Sequence, residues 1–158
     1  MSSNLPILYS FRRCPYAMRA RMALLTAGLT CEMREVILRD RPEHMMEISP
    51  KGTVPVLLLQ DDNLLEESLD IMDWALEIND PDGWLEYNSG VDEVEDLILA
   101  NDNDFKHHLD RYKYSNRYED ADGIEHRDAA ELFIAKLEQL LEDSSYLFGE
   151  NPTKADFA

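Results

Sequence analysis

The chain has 158 residues, 44% of them apolar, which is enough for one ordinary domain or two small ones and argues against a disordered chain. Fifteen Lys and Arg stand against 33 Asp and Glu, a formal charge of -18, so a nucleic-acid backbone would be repelled. Apolar runs such as Val54-Pro55-Val56-Leu57-Leu58-Leu59 fall far short of the roughly 20 residues that cross a bilayer. Neither a membrane span nor a secretory leader is expected over the first residues, and the expected location is cytoplasmic.

Charge divides the chain. Residues 1–79 hold 8 basic and 12 acidic side chains and residues 80–158 hold 7 and 21, so the net charge is -4 in the first part and -14 in the second. The turn formers Asn79-Asp80-Pro81-Asp82-Gly83 mark the seam. The expected organisation is a first domain over 1–79, a linker over 80–88 and a helical part over 89–158.

In chain order, residues 5–11 predict a strand, and a helix over 15–27 follows, with Pro15 at its first position and Gly28 at its end. Met18, Met22 and Leu25 are its expected buried stripe. A second strand is expected over 31–38, a short helix over 42–48, a third strand over 54–59, a turn at Asp61-Asp62-Asn63 and a fourth strand over 64–66. A helix starting at Ser68 would turn Leu69, Met72, Ala75 and Leu76 to the sheet. The order βαβαββα describes an α/β layered domain with a right-handed parallel opening and a closing hairpin.

Cys14 sits at the N-cap of the first helix, where unpaired N–H groups and the helix dipole favour an anion, and a thiolate is the anion available. Arg12, Arg13 and Arg19 would act the same way; the bland alternative is a small apolar residue before a proline-started helix. Cys31 begins a strand, away from a helix end, and reads as a half-buried thiol. Position 17, where a dithiol motif carries its second sulfur, holds Ala17, so any disulfide exchange is monothiol and needs an external thiol. Val54-Pro55 is a candidate cis bond whose backbone could pair with an extended ligand. Glu67 and Ser68, at a helix start, suit the ammonium and carboxylate of an α-amino acid end, against a reading as plain capping.

Phe11-Arg12-Arg13-Cys14-Pro15-Tyr16-Ala17-Met18-Arg19, Arg41-Pro42-Glu43, Pro50-Lys51-Gly52-Thr53-Val54-Pro55-Val56-Leu57 and Glu67-Ser68 together resemble the thioredoxin-like N-terminal domain of cytosolic glutathione transferases, the omega class above all. The resemblance covers residues 5–78. It implies glutathione as cosubstrate, Cys14 as the cysteine that forms a mixed disulfide with it, Val54 pairing with the cysteinyl part, and Glu67 and Ser68 holding the γ-glutamyl end. Arg41 falls where omega members carry a Lys for the glycyl end. Tyr9 and Ser10 lie near the hydroxyl that activates glutathione in other classes. The implied activity is thiol transfer or reduction on a small disulfide or electrophilic substrate, dehydroascorbate being one class, with a homodimer as the family's assembly. The competing reading is a non-catalytic binding or regulatory protein on the same scaffold.

In the second half, Val91, Val94, Ile98, Phe105, Leu109 and Tyr112 predict one long amphipathic helix, and Ala130, Phe133, Ile134, Leu137 and Leu141 another. Trp74 and Trp84 read as packing residues. His107 and His108, being adjacent, should point apart, and no metal site is expected. Pro152-Thr153-Lys154-Ala155-Asp156 reads as a capping box that opens a helix, with Thr153 as N-cap and Asp156 at N3. Five residues do not make a stable helix, and the resemblance continues with further helices in its family. The all-α part is therefore expected to be incomplete and the sequence truncated at its C-terminal end.

Overall fold

A computed structural model describes residues 5–87, 90–119 and 122–158. Residues 88 and 89, where the expected linker meets the helical part, lie outside the described set, as do residues 1–4. Contacts divide the chain into one unit of Met1–Asp82 with Phe157–Ala158 and a second of Gly83–Asp156.

The first unit runs β1 (Ile7–Ser10), α1 (Pro15–Thr26), β2 (Glu32–Glu35), α2 (Glu43–Ile48), β3 (Val56–Leu58), β4 (Leu64–Leu65) and α3 (Ser68–Ile78). The four strands form one mixed sheet in the order β2-β1-β3-β4. β2 lies parallel to β1, whereas β3 is antiparallel to both β1 and β4. This is the thioredoxin-like arrangement that the sequence resemblance implies. The second strand is shorter than expected because the chain leaves the ladder after Glu35 and closes a turn through an Ile37–Asp40 bridge.

Alternation along β1 distributes its side chains to two faces. Tyr9 joins Val36, Met45 and Val56 in a buried cluster, with Ile7, Ile48, Val54 and Leu64 packed around it, so this face meets α2. Leu8 and Ser10 point to the other face, where Arg21 of α1 donates to Ser10 Oγ at 2.6 Å. There α1 packs on α3, but not through the stripe expected from periodicity. Leu25 is 80% exposed and Met18 and Met22 are exposed as well, while Ala17, Ala20, Ala23 and Leu24 are buried. Small residues allow the close approach of backbones that a methionine stripe would prevent. On α3 Ile71 takes the deeply buried place beside Met72, Ala75 and Leu76, and Leu69 is half-buried. Gly28, at φ +69°, ends α1 as expected, with Leu29 N–H donating to the Leu24 carbonyl.

The second unit contains α4 (Val91–Ala100), a π-helical turn (Asn101–Phe105), α5 (Lys106–Lys113), a 3-10 turn (Ser115–Arg117), α6 (Gly123–Leu140) and a second 3-10 turn (Lys154–Asp156). Val94, Leu97 and Ile98 are buried, but Tyr112 is exposed, because the π turn rotates α5 away from the face that α4 buries. Phe105 stacks on Phe133 of α6 at 4.9 Å between ring centroids. Ala130 is buried, while Ile134 and Leu141 of the expected stripe are exposed. Trp84 is buried and its carbonyl accepts from Lys154 N–H at 2.8 Å. The Thr153-to-Asp156 box forms in part. Asp156 Oδ2 accepts from Thr153 N–H at 2.7 Å and from Thr153 Oγ1 at 3.0 Å, and the turn that follows is three residues long. No helix among the described residues is long and apolar enough to cross a membrane.

Candidate active site at the start of helix α1

Cys14 is the N-cap of α1, with extended backbone (φ −79°, ψ 118°) and Pro15 as the first helical residue. Proline suits that place because its missing N–H would have no intrahelical partner. The Phe11 carbonyl accepts from Cys14 N–H at 3.0 Å, which holds the turn that leads out of β1. The thiol is half-buried and free, and its Sγ donates to the Val54 carbonyl at 3.6 Å. The Val54–Pro55 bond is cis. The sulfur at one helix start and the backbone that opens β3 therefore share one polar patch.

Three further expected residues surround the loop that leads to Val54. Arg41 Nε donates to the Gly52 carbonyl at 2.6 Å. Gly52 has φ +63°, a left-handed conformation that favours glycine, and a Cβ there would come within 3.1 Å of Arg41 Nε, so the Arg41 side chain would have to shift. Glu67, the N-cap of α3, pairs with Lys51 at 2.5 Å, both side chains being solvent-accessible. Ser68 is buried, and its hydroxyl accepts from Arg19 Nε at 2.9 Å. Arg19, itself buried on α1, also lies over the Tyr16 ring at 4.8 Å. Lys51 escapes the sequence reading as a site residue, although its place inside the Pro50-to-Leu57 motif is an available signal.

The remaining arginines near the helix start have other anchors. Arg12 bonds Glu35 across the β1–β2 end through both its backbone N–H and its Nε, and Arg13 lies over the Phe11 ring at 5.3 Å. A cavity of about 530 Å³ opens beside them, lined by Arg12, Arg13, Glu35, Ile37 and Arg39 among others. Its lining includes none of Cys14, Val54, Glu67 and Ser68.

Tyr9 and Ser10 are fully buried. Tyr9 Oη lies 2.5 Å from His44 Nδ1 and accepts from Arg34 Nη1 at 2.8 Å. Bonding to Glu32 first, and then to Tyr9, raises the pKa of Arg34 above its ordinary value. The two hydroxyls are thus tied into the layers of the fold. Burial pushes the Cys31 thiol above its ordinary pKa, which disfavours its thiolate at neutral pH.

Comparison with known proteins adds three findings. Residues 8–83 match the family model described as "Glutathione S-transferase, N-terminal domain". A glutathione S-transferase omega-1 of Mus musculus is 27% identical over 151 residues, 95% of this chain and 62% of the relative. A probable glutathione transferase of Aplysia californica is 40% identical over 47 residues, 30% of this chain and 51% of that protein. The chain thus spans about three-fifths of the mouse relative's length. The crystal structure of glutathione transferase Omega 3C from Trametes versicolor superposes with a TM-score of 0.80 at 21% identity, covering 96% of this chain and 68% of that one.

Proposed function

Because residues 8–83 match the glutathione S-transferase N-terminal domain, with omega-class proteins among the chain's relatives, we propose that the chain is a glutathione-dependent thiol transferase with Cys14 as nucleophile. The observation that carries this reading is the position of Cys14, a free thiol at the start of a twelve-residue helix with its Sγ 3.6 Å from the Val54 carbonyl.

The chemistry is two successive exchanges at sulfur. Cys14 thiolate attacks the glutathione sulfur of a mixed disulfide, a new S–S bond forms to Cys14, and the substrate thiolate leaves. A second glutathione thiolate attacks the glutathione sulfur held on Cys14, and oxidised glutathione leaves with Cys14 thiolate restored. Ala17 occupies the place of a resolving cysteine, so the second glutathione is required.

Binding follows from the residues around the sulfur. The Val54 backbone pairs with the extended cysteinyl part, as in strand addition. The first N–H groups of α3 and the Ser68 hydroxyl take the γ-glutamyl carboxylate, since Ser68 accepts from Arg19 and keeps its own proton to donate. Glu67 takes the ammonium, which competes with Lys51 for that carboxylate. Arg41 spends Nε on Gly52, so its other guanidinium nitrogens meet the glycyl carboxylate. A cytosolic homodimer is the setting we propose for this chemistry. Steady-state reduction of a glutathione mixed disulfide by wild type and Cys14→Ser tests it: loss of the reaction in the variant is expected, an unchanged rate would make Cys14 structural and overturn the mechanism, and no reaction by wild type would leave a non-catalytic scaffold.

A further inference from the structure

The expectation that His107 and His108 diverge on their helix leaves out a third imidazole, which α6 brings to them. We propose that His107, His108 and His126 form a binding site for a divalent transition-metal ion such as Zn²⁺ between α5 and α6. Ring nitrogens of the three side chains all lie within 4.8 Å of one another. His108 Nδ1 is 2.8 Å from His126 Nδ1, and the ring centroids stand 5.0 Å apart for the His107–His108 and His108–His126 pairs and 5.8 Å apart for His107–His126.

The separation matches what a metal needs. Zn²⁺ holds imidazole nitrogens at about 2.0–2.1 Å in tetrahedral geometry, which sets neighbouring ligand nitrogens roughly 3.4 Å apart. Opening the His108–His126 contact by about half an ångström and drawing in the ring nitrogens that stand as far as 4.8 Å apart therefore admits the ion, movements within the reach of side-chain rotation. The Phe105–Phe133 stack joins the π turn that leads into α5 to α6, next to the segments that carry these histidines. Neutral imidazoles select Zn²⁺, Cu²⁺ or Ni²⁺ over Mg²⁺ and Ca²⁺, and three of them leave a fourth position for water. The net charge of -14 over residues 80–158 attracts a cation.

One contact opposes the ion. Arg111 Nη1 lies 2.9 Å from His107 Nδ1, and the same guanidinium sits over the Tyr118 ring at 4.5 Å. On metal binding Arg111 gives up the imidazole and stays on Tyr118. Removing its charge, as in Arg111→Gln, should therefore tighten binding several-fold, which a merely structural pair of helices would not do.

Calorimetric titration of the tag-free full chain with Zn²⁺ tests the site. One ion per chain with a Kd below about 10 μM is expected, weakened at least tenfold in His126→Gln and in His108→Gln. Equal affinity in these variants, or no binding by wild type, would overturn the assignment. Ring signals of the unsubstituted protein in NMR give a second readout that depends on no variant. Zn²⁺ should move those of His107, His108 and His126 and leave His44 in place, and movement of His44 alone, or of none, would contradict the site. Neither experiment depends on Cys14 or on glutathione.

Discussion

Cys14 Sγ and the carbonyl oxygen of Val54 stand 3.6 Å apart although forty positions separate them in the sequence, because β1 and β3 are paired side by side in the sheet. The two cysteines of the protein should consequently react differently. Iodoacetamide at pH 7 should alkylate Cys14 well before Cys31, since burial raises the Cys31 pKa and its thiolate fraction falls below the few per cent of an ordinary thiol. Raising the pH should bring Cys31 into reaction, because its thiolate appears only as pH approaches that raised pKa. Peptide mapping of the alkylated protein against time and pH reads both.

Glu67 and Lys51 pair with side-chain accessibilities of 70% and 36%, which places their bond in water. Glu67→Gln should change stability by less than about 1 kcal/mol, as solvated pairs do. The same variant should raise KM for glutathione roughly tenfold with kcat little altered, the signature of a lost binding contact. A fall in kcat at constant KM would place Glu67 elsewhere in the reaction.

Arg19 is 5% exposed, bonds Ser68 and stacks on Tyr16. Arg19→Ala leaves the buried Ser68 hydroxyl without that donor and opens space between α1 and α3. Urea denaturation should show a loss of about 2–3 kcal/mol, the range for a hydrogen bond to a charged group together with lost packing. Arg19→Lys should recover only part of it, because an ammonium lacks the planar fork that both bonds and stacks.

Asp156 serves three donors in the second unit: Thr153 N–H, Thr153 Oγ1 and the Leu147 N–H at 2.9 Å. Asp156→Ala should cost about 2 kcal/mol and lower Tm by several degrees, because it leaves partly buried donors unmet. Asp156→Asn, with one acceptor oxygen in place of two, should fall between. Thermal unfolding of the three proteins ranks them.

The strand and helix order of the first unit was legible because turn formers and changes of period punctuate it, and Pro15 and Gly28 mark helix ends by their own chemistry; Ser68, expected as the cap of α3, is instead its first helical residue, with Glu67 at the N-cap and the Ser68 hydroxyl turned to Arg19. The buried face of α1 was not. Hydrophobic periodicity weights large residues, so it chose Met18, Met22 and Leu25, whereas close helix packing selected alanines and a hydrogen-bonded arginine. Val91 to Tyr112 read as one continuous stripe because a π turn has no period of its own in so short a stretch. The imidazole cluster was invisible for a different reason: His126 lies on another helix, 18 positions from His108, and only the packing of α5 on α6 joins them. At the candidate active site each expected residue could be named from its motif, but the pairing of Arg19 with Ser68, of Lys51 with Glu67 and of Arg41 with Gly52 emerged only with the fold.

The most direct measurement is intact-mass analysis with peptide mapping after exposure to oxidised glutathione. One glutathionyl group bound to Cys14 and removed by reduced glutathione is the expected result. An adduct confined to Cys31, or no adduct at all, would contradict the assignment of Cys14 as the exchanging sulfur.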